Sequence, residues 1–126
     1  MTDMGIFKTT IAIENPLRPG ELSEIAGVMV DTGSEYTWVP RDVLESLGLS
    51  PKRAARFETA DGRVLEREIT FANVHAGGTS APDIVVFAER GDLTLLGARA
   101  LEGLNLRIDL ARRMLVPAGP VPAAAV

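Results

Sequence analysis

The chain has 126 residues, 46% of them apolar and 24% charged, with a formal net charge of −4 and a pI near 5.0. This is the composition of one soluble globular domain, long enough to bury a core and too short for two lobes of ordinary size. The acidic balance argues against a nucleic-acid partner held through phosphates, and the absence of cysteine removes a disulfide framework, a thiolate nucleophile and a Cys-based zinc site.

Met1 to Ile13 carries Asp3 and Lys8 and no long apolar stretch, so a signal peptide is not expected. No apolar run approaches the roughly 20 residues that span a bilayer. Met114 to Val126 is short and broken by Pro117, Pro120 and Pro122. No membrane partner is expected, and a cytoplasmic location follows by default. With a single histidine, His75, and no cysteine, neither a metal nor a cofactor is expected.

Phe7, Thr9, Ile11 and Ile13 alternate with Lys8, Thr10, Ala12 and Glu14, a period of two that predicts a strand. Asn15-Pro16 and Pro19-Gly20 mark a loop, after which Ile25 to Val30 and Tyr36 to Val39 read as strands. Pro40 opens a short helix with Val43, Leu44 and Leu47 on one face and Gly48 as its stop. Asp61-Gly62 signals a hairpin of type I′ between the charged arms Arg56–Ala60 and Arg63–Thr70, which suits a hairpin standing clear of the core. Gly77-Gly78 is a further turn, and Ile84 to Ala88 reads as a buried strand. Leu93 to Leu96 is another strand, Ala98 to Glu102 a helix with Leu101 and Leu104 inward, and Leu106–Asp109 with Met114–Val116 a closing pair. Many short strands and two short helices predict a small, mostly β domain over residues 1–117, followed by a flexible Ala/Pro tail at 118–126.

The chemistry concentrates in Val28-Met29-Val30-Asp31-Thr32-Gly33-Ser34. An acid directly after a buried apolar strand is costly unless it is hydrogen-bonded or has a task. Gly33 permits close backbone approach, and the hydroxyls of Thr32 and Ser34 can hold a carboxylate. The same residues suit an Asx turn that merely ends a strand, and on this segment alone both readings stand.

The rest of the chain bears on that choice. Val-Met-Val-Asp-Thr-Gly-Ser, the helix ending Leu47-Gly48-Leu49, the hairpin Thr59-Ala60-Asp61-Gly62, Leu95-Leu96-Gly97, the helix with Leu101 and the closing Ile108-Asp109 follow one another in order. In these landmarks the chain, from Ile25 to Val116, resembles the retropepsin-like aspartic proteases (clan AA), especially small bacterial single-lobe members and their eukaryotic ubiquitin-receptor-associated cousins. The resemblance implies a closed, acid-protease-like β-barrel of one lobe, with Asp31 on a loop at the base of a cleft and Thr59, Ala60, Asp61 and Gly62 as the flap over substrate. It implies aspartic endopeptidase activity on peptide or protein substrates, through a water activated between two aspartates. Since the chain holds one Asp-Thr-Gly, the complete site would need a homodimer, with Asp31 from each copy. By position, Thr32 would bond across the axis, Gly33 would let substrate backbone lie close, and Ser34 would donate to the outer oxygen of Asp31. Terminal strands Phe7–Ile13 and Met114–Val116 are the expected subunit contacts. Arg99 stands where close bacterial relatives often have Asp, and the flap, with Asp61 and Arg63 near its tip, carries more charge than glycine-rich viral flaps.

Other readings compete with this one. An aspartyl-phosphate enzyme would need a second acid for Mg²⁺, a lysine and a parallel α/β sheet; Glu35 could be that acid, but strands and helices do not alternate. Ser34 and His75 can be imagined as nucleophile and base, while a surface histidine near a turn is the plainer account. Asp109 reads as a structural acid starting a turn, Arg112-Arg113 as a solvated turn, and Glu35 with Arg99 as an ion pair bracing the cleft. A dimeric module that keeps the fold and binds peptides without cleaving them is the alternative function.

Overall fold

The computed structural model describes residues 7–125; residues 1–6 and 126, assigned above to the start of the domain and the end of the tail, lie outside the described residues. The elements run β1 (Lys8–Glu14), β2 (Leu22–Val30), β3 (Thr37–Pro40), α1 (Arg41–Ser46), β4 (Arg53–Glu58), β5 (Val64–Ala76), β6 (Thr79–Ala88), β7 (Leu95–Leu96), α2 (Ala98–Leu104), β8 (Leu106–Asp109) and β9 (Met114–Pro117). The described chain is mostly β, as composition and periodicity predict. No described helix is long and apolar enough to cross a membrane.

Seven strands pair in the order β1-β2-β7-β3-β6-β5-β4, and β1 also pairs with β5; β8 and β9 form a separate ribbon. The short β7 lies between β2, to which it is parallel, and β3, to which it is antiparallel. A strand slotted there forces the chain to leave the sheet after Val30 and return at Thr37. The Asp31 loop is made by that detour.

Alternation along β1 and β2 turns Ile11, Ile13 and Val28 inward, where they meet Val39, Leu44, Val74, Val85, Phe87 and Leu96 in one core. Helix α1 contributes Leu44, fully buried, and α2 contributes Ala100, Leu101 and Leu104. Asn15 is buried in the loop after β1 because its Nδ2 donates to the Leu47 carbonyl and its Oδ1 accepts the Leu17 N–H, each at 2.9 Å.

The structure corrects several boundaries. The Gly77-Gly78 turn, with φ of 59° and 81° and Ala76 opposite Thr79, has the two positive φ values of a type I′ hairpin. At Asp61-Gly62 only Gly62 has positive φ, at 85°. There Gly62 N–H donates to the Thr59 carbonyl at 3.0 Å and Thr59 N–H to the Arg63 carbonyl at 2.8 Å. This is a three-residue loop, a type I turn closed by a glycine bulge, rather than type I′. Strand β5 runs on to Ala76, so its outer half is hairpin arm and its inner half is core. Leu93 lies outside β7 and is 62% exposed. Strand β1 is no free edge at Ala12–Glu14, where β2 and β5 flank it on both sides. After β9, Ala118 N–H donates to the Asn105 carbonyl at 2.9 Å and Asn105 Nδ2 donates to the Gly119 carbonyl at 2.8 Å.

Candidate active site

Asp31 is the first residue beyond β2, and its N–H still reaches the Leu96 carbonyl of β7 at 2.9 Å. The chain then turns: Ser34 N–H donates to the Asp31 carbonyl at 3.1 Å, and Gly33 N–H donates to Asp31 Oδ1 at 2.9 Å. This is the Asx turn of the plainer reading, and it is also what aims the carboxylate. Asp31 is half-buried, while Thr32 and Gly33 are exposed. A Cβ on Gly33 would sit 3.1 Å from Asp31 Oδ1, so the residue type keeps the space beside the carboxylate open. The Ser34 hydroxyl donates to the Tyr36 carbonyl at 3.0 Å, not to the outer oxygen of Asp31 as expected. Ser34 lies past the turn, and its hydroxyl secures the return toward β3.

The segment after β7 braces this loop from behind. Gly97 N–H donates to the hydroxyl of fully buried Thr37 at 3.0 Å, Ala98 N–H to the Ser34 carbonyl at 2.8 Å, and Arg99 N–H to the Glu35 carbonyl at 3.1 Å. Leu95-Leu96-Gly97 and Asp31-Thr32-Gly33-Ser34 are therefore one structural unit, although 66 residues separate Asp31 from Gly97.

The hairpin carrying Thr59, Ala60, Asp61 and Gly62 projects from β4 and β5. Its tip charges are matched locally: the Thr59 hydroxyl donates to Asp61, and Arg63 Nε lies 3.1 Å from Asp61 Oδ2. The Thr59 hydroxyl, aided by Arg63, holds the Asp61 carboxyl below its ordinary range. On β4, Phe57 meets the edges of Tyr36 and Trp38 at ring-centre distances of 5.7 and 5.1 Å. These half-buried rings set the hairpin against the strand that leaves the Asp31 loop. Sequence reading missed them as a group; Tyr36 and Trp38 at a spacing of two were the available signal.

Elsewhere the polar residues have other partners. His75 Nε2 lies 2.9 Å from Glu14 Oε1, so it is bound to β1 and half-buried, not a free surface side chain. Glu14 also accepts the Gly20 N–H at 2.7 Å, and that bond, then His75, lowers its pKa. Ser34 and His75 thus belong to separate clusters. A cavity of about 560 Å³ beside His75, lined by Thr10, Ile11, Glu24 and the Gly77-Gly78 turn, includes nothing from the Asp31 loop. Asp109 accepts the Arg112 N–H at 3.1 Å, the structural acid that the sequence predicts.

Arg99 faces Asp83 rather than forming the expected side-chain pair with Glu35: Arg99 Nε lies 3.9 Å from Asp83 Oδ1. The Asp83 side chain is only 5% exposed, and its Oδ2 has no hydrogen-bond partner among the described residues. Burial raises its pKa, and Glu35 adds to the rise, against the Ile84 N–H and Arg99. An acid whose folded pKa exceeds its unfolded one costs stability as pH rises through that interval, because the folded state binds the proton more tightly. Asp83→Asn, which cannot ionise, should gain in Tm relative to wild type between about pH 4 and about pH 7. A Tm difference that stays flat or shrinks over that range would contradict the assignment.

Comparison with known proteins agrees with this arrangement at the level of fold. No curated protein matches the chain. The solution structure of the simian foamy virus (mac) protease is similar to it, with a TM-score of 0.51 and 18% identity, covering 75% of this chain and 91% of that one. A family model described as "gag-polyprotein putative aspartyl protease" matches residues 24–103, more than half of the chain and a span that includes the Asp31 loop, the 59–62 hairpin and Gly97. The chain belongs to this aspartyl protease family.

Proposed function

We propose that the protein is an aspartic endopeptidase whose site forms when two copies bring their Asp31 loops together. One observation carries the reading. Each chain has a single Asp-Thr-Gly-Ser loop, braced from behind by Gly97–Arg99, with Thr32 and Gly33 at the surface where a second loop can meet it. A twofold axis sets one patch against itself, so the same loop serves as both halves of the dyad. Two carboxylates a hydrogen bond apart cannot both ionise, so they share one proton. The ionised member takes a proton from a water, the protonated member donates to the scissile carbonyl oxygen, and no covalent intermediate forms. Thr32, Gly33 and Ser34 hold the loop, and Thr59–Gly62 close over peptide.

The β1–β5 pairing supports a closed acid-protease-like barrel. The ribbon β8–β9 is a candidate subunit contact, since β9 has β8 as its one strand partner among the described residues. The bacterial affiliation, the cytoplasmic location and the division at residue 117 belong to the same proposal, with Asn105 holding the first two residues of the tail.

The test combines cleavage with dilution. Purified protein is incubated with a diverse peptide library across pH, products are read by mass spectrometry, and oligomeric state is followed by analytical ultracentrifugation. Specific activity should fall as the protein is diluted through its dimer dissociation constant. Constant specific activity from a strict monomer would rule the mechanism out, and saturable peptide binding with no products would favour the non-catalytic module.

A further inference from the structure

We propose that Arg67 and Asp92 are positioning residues that clamp the root of the 59–62 hairpin to the 89–94 loop and so set where the hairpin bends. The inference rests on the reading of that hairpin as a flap. Arg67 Nε lies 2.7 Å from Asp92 Oδ2 and its Nη2 lies 2.9 Å from Asp92 Oδ1, a two-pronged contact between side chains only 19% and 12% exposed. Asp92 Oδ2 also accepts the Glu89 N–H at 2.8 Å, and Arg67 Nη1 donates to the Glu66 carbonyl at 2.9 Å, so both ends are oriented by backbone. A forked, shielded pair of this kind holds a defined geometry, unlike the solvated Asp61–Arg63 contact at the tip.

The neighbouring residue doubles the attachment. Glu68 points to the opposite face of β5. It pairs with Arg41 at 2.5 Å, and Arg41 lies 2.8 Å from Glu89 and stacks over the Phe87 ring at 4.7 Å. Two successive residues of one strand, facing opposite ways, are thus tied to the same 89–92 segment. Tipward of Arg67, Val64 and Glu66 are exposed. Bending of the hairpin is therefore confined to the stretch beyond Arg67.

The loop that receives the clamp leads directly into β7, which pairs with Met29, Val30 and Trp38, and then into the Gly97–Arg99 brace behind Asp31. Through this loop the root of the hairpin and the Asp31 loop share one support. Without the Arg67–Asp92 fork, the hairpin closes over peptide from a root that shifts. The cost then falls on substrate capture more than on the chemical step.

Hydrogen exchange on the free protein, read alongside steady-state kinetics, tests this. Asp92→Asn should speed exchange in residues 53–69 by about tenfold while Ile84–Ala88 stays at wild-type rates. It should also raise KM about fivefold with kcat changed less than about twofold. Because Asp92→Asn leaves a shielded guanidinium without its counter-charge, the double variant Arg67→Gln/Asp92→Asn is measured beside it, with the same exchange pattern expected. Arg67→Lys, which keeps the charge and loses the fork, should fall between wild type and Asp92→Asn. Unchanged exchange in residues 53–69, or equal acceleration in 84–88, would overturn the clamp. So would an unchanged KM in a cleaving enzyme. If wild-type protein cleaves nothing, the endopeptidase reading fails while the exchange experiment still decides the clamp.

Discussion

Asp31→Asn is expected to lower peptide hydrolysis by about 10³-fold or more while leaving the fold in place. The substitution is nearly isosteric. The asparagine carbonyl can still accept the Gly33 N–H that Asp31 Oδ1 accepts at 2.9 Å, so the Asx turn and the course of the loop survive. What is lost is the ability to take a proton from water, and in a symmetric dimer it is lost from both halves of the dyad. Stability should stay within about 0.5 kcal/mol of wild type, because Asp31 is only half-buried and its one recorded side-chain bond is kept. The measurement is product formation by mass spectrometry at matched dimer content, with thermal unfolding as the control. Comparable cleavage by the variant would move the catalysis away from Asp31.

Gly97→Ala should be the most damaging single-methyl change in the molecule, at about 3 kcal/mol or more of stability. The reason is space, since Gly97 has φ of −94°, which any residue can adopt. A Cβ there would lie 2.4 Å from the Tyr36 carbonyl oxygen, 2.6 Å from its carbon and 2.9 Å from the Ser34 carbonyl oxygen. All three are backbone atoms, so no side chain can rotate aside, and either the 31–37 loop or the start of α2 must move. Movement breaks the bonds from Gly97, Ala98 and Arg99 that brace the Asp31 loop, and activity should fall together with stability. Denaturant unfolding gives the stability change. A shift of less than about 0.5 kcal/mol would mean that the two loops can separate freely, which the packing does not allow. By contrast, an added Cβ at Gly103 meets only Ala81 at 3.5 Å, and Gly103→Ala is the matched control.

Local pattern made much of this protein legible in advance. Period-two alternation marked β1, the apolar run at Ile84–Ala88 marked the inner half of β6, and Val43 and Leu44, with Leu47 at the C-terminal cap, marked the inward face of α1, because burial imposes its period directly on the residues. The Asp-Thr-Gly-Ser loop was legible for a related reason: an acid and a glycine directly after an apolar strand break its alternation and suit an Asx turn. Turn chemistry was readable only to the level of a turn. Asp61-Gly62 and Gly77-Gly78 look alike in sequence, yet Gly62 alone is left-handed in the first and both glycines are in the second. Loop length decided between them, and loop length depends on where strand pairing stops.

Contacts between distant segments were decided by the tertiary structure alone. The insertion of β7 between β2 and β3 creates the Asp31 loop and leaves no room for a Cβ at Gly97, but a two-residue strand leaves almost no periodic trace. The polar partnerships behave the same way: Glu14 with His75, Arg67 with Asp92, and Arg99 with Asp83 instead of Glu35. A charged side chain binds whichever opposite charge the register of the sheet brings within reach, and that register is set by the packing of the whole core. Residue type and spacing along the chain thus determined that an acid would follow a buried strand in a mostly β domain. Only the strand pairings decided what stands behind that acid and what holds the root of the 59–62 hairpin.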